Sequence, residues 1–431
     1  MTQAYLPPPS ATVRWNLRQL YWDILWFGVL AGSTLAFLSV FTARLGASSL
    51  QIGLLSAGPA LINLVFTLPA GHWLEGKPLI RAAFLSSLGQ RAGYLVLVAI
   101  PWLFLQQQGQ VWAVIGLILV MSLAGTFLAI AFNAMYAEVV PDEWRGRAAG
   151  WRNALVAISV TLTTLLSGYI LDQVRFPLNY QIVFSIGAIG ALMSSFHLSR
   201  VRSLEAGEMR PAGPTTGGEK FSRAHWWDWL LQLNRKRDAS RSGRKPLLRK
   251  DLIFSPFGLF MLGCLAFYVF QYFGIPIFPL FYVNSLHLTD GEISLGTAMA
   301  HGAMMVGSLF LSRLSVKLGH RKVMLLGVFL FAQFPLFLGF ANNAAFFYIA
   351  SLLGGLIYAF LNGGLVNRLM DRVPAGDRPA HMALHNMALN MGILIGSLSG
   401  PLFGEWIGLR EALFLTAGLR VLAALLLWKW G

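Results

Sequence analysis

The stretch VWAVIGLILVMSLAGTFLAIAFNAMY, residues 111–136, contains no charged residue and is long enough to cross a lipid bilayer as a single helix. About 20 apolar residues in a helix span a hydrocarbon core about 30 Å thick. Inside that core the backbone must satisfy its own hydrogen bonds, which only helices and closed barrels do. A run this continuous predicts a transmembrane helix.

Comparable apolar runs recur along the whole chain of 431 residues, of which 56% are apolar and only 12% charged. A soluble globular domain carries about 25% charged residues, so this chain lacks the groups to coat a water-facing surface. We predict an all-α membrane protein with twelve transmembrane helices. The predicted spans lie near residues 20–43, 50–70, 82–104, 111–136, 153–171, 179–198, 254–282, 292–312, 323–341, 345–367, 381–403 and 412–428.

The basic residues predict the orientation in the membrane. If the N-terminus is cytoplasmic, inner segments hold 28 of the 33 lysines and arginines, whereas the outer ends hold only Arg44, Arg175 and Arg410. Positive charge collects on cytoplasmic loops, so both termini are predicted to be cytoplasmic, in the cell membrane. The net charge of +15 therefore follows from topology, and we expect no nucleic-acid partner.

A long polar stretch divides the chain into three parts. We predict a six-helix bundle at 1–198, a basic cytoplasmic linker at 199–250 and a second six-helix bundle at 251–431. Within the linker, residues 225–237 combine tryptophans and leucines on one helical face with a basic cluster. Two interpretations stay open for this segment, an amphipathic helix on anionic lipid and a solvated basic loop.

Short motifs repeat between the two parts, which predicts pseudo-symmetric halves. Six spans separate each pair, so the repeats keep the same orientation, as in parallel repeats related by an axis along the membrane normal. The first motif is Glu138, Pro141, Arg145 and Asn153, matched 233 residues later by Asp371, Pro374, Arg378 and Asn386; the second is Leu45, Ile52 and Leu54, matched 241 residues later by Leu286, Ile293 and Leu295.

Six plus six spans, parallel halves and a basic central loop resemble the major facilitator superfamily (MFS), and the resemblance covers nearly the whole chain. The loop between spans 2 and 3 keeps Gly71 and an acid at Glu75, where the family has Asp; the matching loop in the second half keeps Lys317, Gly319 and Arg321. Span 4 lacks the central arginine that proton-coupled members often carry. The resemblance implies the MFS fold of two six-helix bundles.

In that family the acid of the loop 2–3 motif helps to latch the halves on the cytoplasmic side. Glu75 would lie near the N-terminus of span 11, whose partial positive charge attracts a carboxylate. The alternative is that these residues are solvated loop charges, which contribute about 0–1 kcal/mol per pair. The predicted cytoplasmic gate comprises Gly71, Glu75, Glu138, Arg145, Lys317, Gly319, Arg321, Asp371 and Arg378.

Few polar residues occur near the middle of the spans. His301 and then Asp23 are candidates for proton coupling, because histidine titrates near neutral pH and Asp23 is the acid deepest within a span. Arg91 and Arg420 also lie deep, where we expect structural pairing. Substrate-cavity candidates, for which hydrogen bonding between helices is the alternative, are Asn63, Asn133, Gln271, Tyr272, His301, Tyr358, Asn362 and Asn390.

These features favour a secondary transporter that moves a small neutral or amphipathic solute by alternating access. The alternative is a non-transporting protein of the same fold that acts in assembly or in pigment or lipid handling. The sequence predicts no enzyme, because it shows no nucleophile–base constellation, and no cofactor or metal site. The single cysteine, Cys264, excludes an internal disulfide. We expect a monomer in the lipid bilayer with a small-molecule substrate.

Overall fold

A computed structural model of the chain describes residues 9–204, 250–374 and 378–431. Within these residues twelve helices are long and apolar enough to span a membrane, which confirms the predicted all-α membrane protein. A short helix, Lys250–Ile253, precedes the seventh. The twelve are α1 Ala11–Arg44, α2 Ser49–Leu74, α3 Leu79–Leu103, α4 Gln107–Val139, α5 Asp142–Gln173, α6 Leu178–Ser199, α7 Pro256–Ser285, α8 Asp290–Leu318, α9 His320–Phe340, α10 Ala344–Arg372, α11 Arg378–Ile407 and α12 Leu409–Trp430.

Two helices of the repeat begin with the same capping motif. The Ser48 hydroxyl accepts from the Gln51 amide while the Gln51 side chain accepts from the Ser48 amide, and Thr289 and Glu292 do the same 241 residues later. Such a capping box satisfies two backbone donors that a helix start leaves free. The repeat read from the sequence therefore sets the start of both α2 and α8.

Some predicted boundaries are displaced because helices extend beyond the apolar core. Helix α1 begins at Ala11, about nine residues before its predicted span, where Ser10 caps the amide of Val13. Helix α2 continues to Leu74, four residues beyond its predicted span, so Gly71 is helical and the turn to α3 is short. That turn follows Leu74 and contains Gly76 with φ of 71°, a conformation that glycine adopts without strain.

The two halves use the same helix pairings. In the first half, α1 packs on α5 and α6, α4 packs on α2 and α3, and α3 packs on α6. The main pairings of the second half are the same with six added to each helix number, for example α7 on α11 and α12. Two pseudo-symmetric six-helix bundles are thereby confirmed. The segment 225–237, with its predicted lipid contact, lies outside the described residues.

The apolar cores show where the halves join. We call the face where α1 begins and α12 ends the terminal face, and the other the opposite face. Near the opposite face, a cluster of the first half around Phe41 and Phe184 includes Leu280 of α7, and the neighbouring cluster of the second half includes Val40 of α1. The clusters nearer the terminal face draw their buried residues from one half each. The halves therefore interlock at the opposite face.

Candidate functional site between the halves

Two helix pairs form the main contact between the halves, α2 with α11 and α5 with α8. A glycine permits each close approach: a Cβ at Gly53 would meet the Ser397 carbonyl, and one at Gly168 would meet the Ser294 side chain. The Ser294 hydroxyl also donates to the Thr164 carbonyl at 2.6 Å. These contacts hold the halves together on the opposite-face side of the molecule.

Charged groups close the opposite face. Arg44, at the end of α1, lies 3.1 Å from the Asp290 carboxylate and donates to the Leu288 carbonyl at 2.6 Å. Asp172, near the end of α5, accepts from the Gly291 amide at 2.9 Å and from the Thr289 hydroxyl at 3.2 Å. Because Gly291 is in the first turn of α8, the Asp172 carboxylate caps a helix N-terminus across the interface. We call Arg44, Asp172, Asp290 and Gly291 the opposite-face clasp.

An asparagine pair joins the halves near the middle of α2 and α11. The Asn63 amide donates to the Asn390 carbonyl oxygen at 3.3 Å, and the Asn63 oxygen accepts from Thr126 at 2.7 Å. Asn390 also donates to the backbone carbonyl of Asn386 at 2.9 Å. The structure thus brings together two predicted cavity residues, one from each half, and the described hydrogen bonds between halves lie at this pair or toward the opposite face.

Toward the terminal face, the described contacts of the predicted gate residues stay within one half. Arg145 pairs with Asp142, a residue of its own helix, and Asp371 lies 2.9 Å from the His320 ring. Arg321 donates to the Trp428 carbonyl at 2.8 Å. Most of the predicted gate side chains are exposed: Glu75, Glu138, Lys317, Arg321, Asp371 and Arg378. The latch between halves is not formed in this conformation, so it stays a prediction for a closed terminal face.

Phenol and amide side chains of α7 and α10 lie close together in the second half, beside a histidine of α11. The Gln271 side chain interacts with the Tyr358 hydroxyl, and the Tyr272 hydroxyl lies nearby. One turn from Tyr272, the Tyr268 hydroxyl is 2.8 Å from the His385 ring nitrogen. Three predicted cavity residues therefore cluster in the second half, beside a tyrosine–histidine pair that the sequence analysis missed. The sequence feature that could have revealed this pair is His385, a polar residue of span 11 five residues before Asn390.

The other predicted cavity residues are more isolated. His301 is half-buried on α8, and its Nδ1 is 2.9 Å from the carbonyl of Thr297, one turn back in the same helix. Asn133 on α4 and Asn362 on α10 are both exposed. The structure does not join these three to the asparagine pair.

Asp23 is the centre of a buried ionic network in the first half. Its carboxylate lies 3.7 Å from Arg91 and 3.5 Å from Arg152 and accepts from the Ser194 hydroxyl at 2.5 Å. Only 2% of Asp23 is exposed. The network connects α1, α3, α5 and α6. Arg91 is therefore paired, as we expected for an arginine deep in the membrane.

Arg420 in the second half is satisfied differently. It is 1% exposed, donates to the Phe331 carbonyl at 3.0 Å and lies 4.3 Å from the centre of the Phe331 ring. A cation on an aromatic face is stabilised by the ring quadrupole, more so when desolvated. The two buried arginines thus pack within their bundles. Among the described residues, no group of three or more His, Cys, Asp or Glu side chains is placed to hold a metal.

Comparison with known proteins identifies the class that this fold and interface define. The family model of the Major Facilitator Superfamily matches residues 24–275 and 259–431, so the chain belongs to that superfamily. Among curated relatives, Multidrug resistance protein 2 of Bacillus subtilis (strain 168) is 25% identical over 150 residues, which are 35% of this chain and 37% of that protein. Quinolone resistance protein NorA of Staphylococcus aureus is 23% identical over 167 residues, 38% of this chain and 42% of the relative. Each match thus spans less than half of the relative.

Solved structures share the fold over nearly the whole chain. A D-xylose-proton symporter superposes with a TM-score of 0.70 at 15% identity, covering 97% of this chain and 98% of the other. A bacterial homologue of the iron transporter ferroportin in an inward-facing state gives 0.67 at 14% identity, with 98% and 99% covered. At such identities the likeness shows the fold alone.

Proposed function

We propose that this protein is a secondary transporter that moves a small neutral or amphipathic solute across the cell membrane by alternating access. The terminal face is the cytoplasmic face, because the basic loops of the described residues lie there, and α6 ends and α7 begins there. The conformation described above is then open to the cytoplasm. The solute binds near the asparagine pair, between the halves.

The observation that carries this proposal is the one-sided closure of the interface. The opposite-face clasp and the Asn63–Asn390 pair join the halves, whereas the predicted gate residues on the terminal face contact only their own halves. Rocking of the two bundles about a midplane site would close one face as the other opens. The helices that join the halves, α2 with α11 and α5 with α8, reach both faces and could form contacts at either one.

The chemistry around the site supports the solute class. The predicted cavity residues other than His301 are amides and phenols, and the buried charges of Asp23, Arg91 and Arg420 are engaged within the bundles. Such a lining suits a ligand with a large apolar surface and a few hydrogen-bonding groups. The names of the two curated relatives, which refer to resistance against multiple drugs and quinolones, agree with an amphipathic solute.

Alternating access predicts that one central residue is reachable from both sides of the membrane. In a Cys264→Ser background, Asn63→Cys should react with a membrane-impermeant thiol reagent in both right-side-out and inside-out vesicles. Gln107→Cys on the opposite face should react only from outside, and Arg81→Cys on the terminal face only from inside. Reaction of Asn63→Cys from one side alone contradicts alternating access, and reversed controls contradict the orientation.

The solute class is tested separately, with a fluorescent quinolone as the probe. Purified protein in liposomes preloaded with the quinolone should support counterflow of the labelled compound, and Asn390→Ala should slow it. If Asn63→Cys is labelled from both sides but no counterflow occurs, alternating access stands and the quinolone is not a substrate. A protein with neither property would be the non-transporting alternative.

A further inference from the structure

A groove of about 590 Å³ lies between α1 and α5 near the terminal face, away from the interface between the halves. Leu155 on α5 lines this groove, whereas Thr164 on the same helix contacts α8. Nine residues, or two and a half turns, separate the two, so they lie on opposite sides of the helix. The groove therefore opens on the outer surface of the first half, where a membrane protein meets lipid.

Besides Leu17, Tyr21 and Trp144, the groove is lined on each helix by arginine, then tryptophan, then leucine. Residues three or four apart lie on one face of a helix. On α1 the order from the terminal face inward is Arg14, Arg18, Trp22 and Leu25; on α5 it is Trp144, Arg147, Trp151 and Leu155. Two exposed tryptophans, Trp22 and Trp151, thus separate the arginines from the leucines. Tryptophan at such a boundary is typical of the membrane–water interface.

The three arginines of the groove are available to bind an anion. Arg14, Arg18 and Arg147 are exposed, and none forms an ion pair with a described acidic side chain. Their described contacts are with rings, Arg18 over Trp15 and Arg147 over Trp144. The nearby carboxylate of Asp142 is paired with Arg145. Three exposed guanidinium groups therefore line the basic end of the groove.

We propose that this groove is a binding site for an anionic phospholipid. The arginines hold the phosphate, which guanidinium groups recognise through paired hydrogen bonds. The tryptophan rings flank the glycerol region, and the acyl chains extend past Leu25 and Leu155. A soluble anion would use the basic end alone and leave the ordered aromatic and apolar parts without a role. The site is separate from the segment 225–237 and from the site between the halves.

The test uses the full-length protein in nanodiscs that contain a trace of photoactivatable phosphatidylglycerol. Peptides from residues 11–25 and 142–155 should carry the cross-linked lipid. The combined change Arg14→Gln, Arg18→Gln and Arg147→Gln should lower that yield at least about fivefold, since each basic group near the surface strengthens binding of anionic lipid. The matched control, Arg81→Gln, Arg313→Gln and Lys322→Gln, removes three exposed charges elsewhere on the terminal face and should leave the yield unchanged.

Two further arms separate charge recognition from general contact with lipid. Photoactivatable phosphatidylcholine should label these peptides several-fold less, and lysine at all three arginine positions should retain most of the phosphatidylglycerol yield. Equal labelling by both lipids overturns the proposal, as does an equal loss in the groove and control variants. A melting curve shows whether the glutamine variant is folded. If it is not, the lysine variant and the comparison of the two lipids decide whether the groove binds anionic lipid.

Discussion

Asp23, the second candidate for proton coupling, also lies at the centre of a buried ionic network that should stabilise the first half. Its carboxylate is engaged by Arg91, Arg152 and Ser194. Removing one partner of a buried ion pair leaves uncompensated charge and costs about 3–5 kcal/mol. Asp23→Asn should therefore lower the melting temperature strongly, as measured by intrinsic fluorescence in detergent. Asp142→Asn, which removes an exposed pair with Arg145, should cost less than about 1 kcal/mol. Equal melting curves would contradict the structural role.

If transport is coupled to protons, His301 is the first candidate to carry the proton and Asp23 is the second. Its ring is half-buried, and its described hydrogen bond involves only Nδ1 and the Thr297 carbonyl. A coupled group must change its proton affinity between two states, and histidine needs only a small change to do so near neutral pH. His301→Gln should keep counterflow exchange and lose accumulation driven by a pH gradient. The exposed His72→Gln should keep both. Accumulation that survives in His301→Gln would exclude His301 as the proton carrier.

At the scale of the helices, Gly168 sets how closely α5 approaches α8. A Cβ there would meet Ser294, whereas one at Gly146 on the same helix meets nothing within 4 Å. Overpacking costs about 1–3 kcal/mol, so Gly168→Ala should disfavour the conformation closed at the opposite face. The reactivity of Asn63→Cys from that face should rise about five- to tenfold. Gly146→Ala should leave it unchanged, and equal reactivity in both variants would contradict this role.

The sequence predicts the elements better than it predicts their partners. Apolar runs predict the spans because length and hydropathy are properties of one segment, and the motifs around Ser48 and Thr289 mark two helix starts. The clasp was missed although its signals were present. Asp172 directly follows the predicted span 153–171, and Thr289 lies three residues before the predicted span 292–312, but only the packing of α5 on α8 brings them together. Pairs joined across halves depend on tertiary structure, which local patterns do not encode.

For the whole molecule, the clasp suggests a way for the two faces to exchange roles in the proposed alternating-access cycle. Helix α5 ends at the opposite face, where Asp172 caps the start of α8. Helix α2 ends at the terminal face, where Glu75 follows it and α11 begins. The pairs α5–α8 and α2–α11 are corresponding contacts between the halves, in which α8 begins at the opposite face and α11 begins at the terminal face. Glu75 would therefore cap α11 when the terminal face closes, as Asp172 caps α8 when the opposite face is closed.

This equivalence predicts opposite effects for two neutral substitutions. A carboxylate at a helix N-terminus contributes about 0.3–1 kcal/mol when exposed and up to about 2 kcal/mol when partly buried. Glu75→Gln should therefore favour the state open at the terminal face, and Asp172→Asn the state open at the opposite face, each by about two- to thirtyfold.

The measurement is the rate at which Asn63→Cys reacts with an impermeant reagent from each side. From the opposite face, the rate should fall in Glu75→Gln and rise in Asp172→Asn. The two carboxylates lie at different faces, so their effects should add, and the double variant should return toward the parent rate. A change in the same direction in both single variants would mean that the two residues do not close opposite faces. An unchanged rate in Glu75→Gln alone would leave the opposite-face clasp intact and remove Glu75 as the latch of the terminal face.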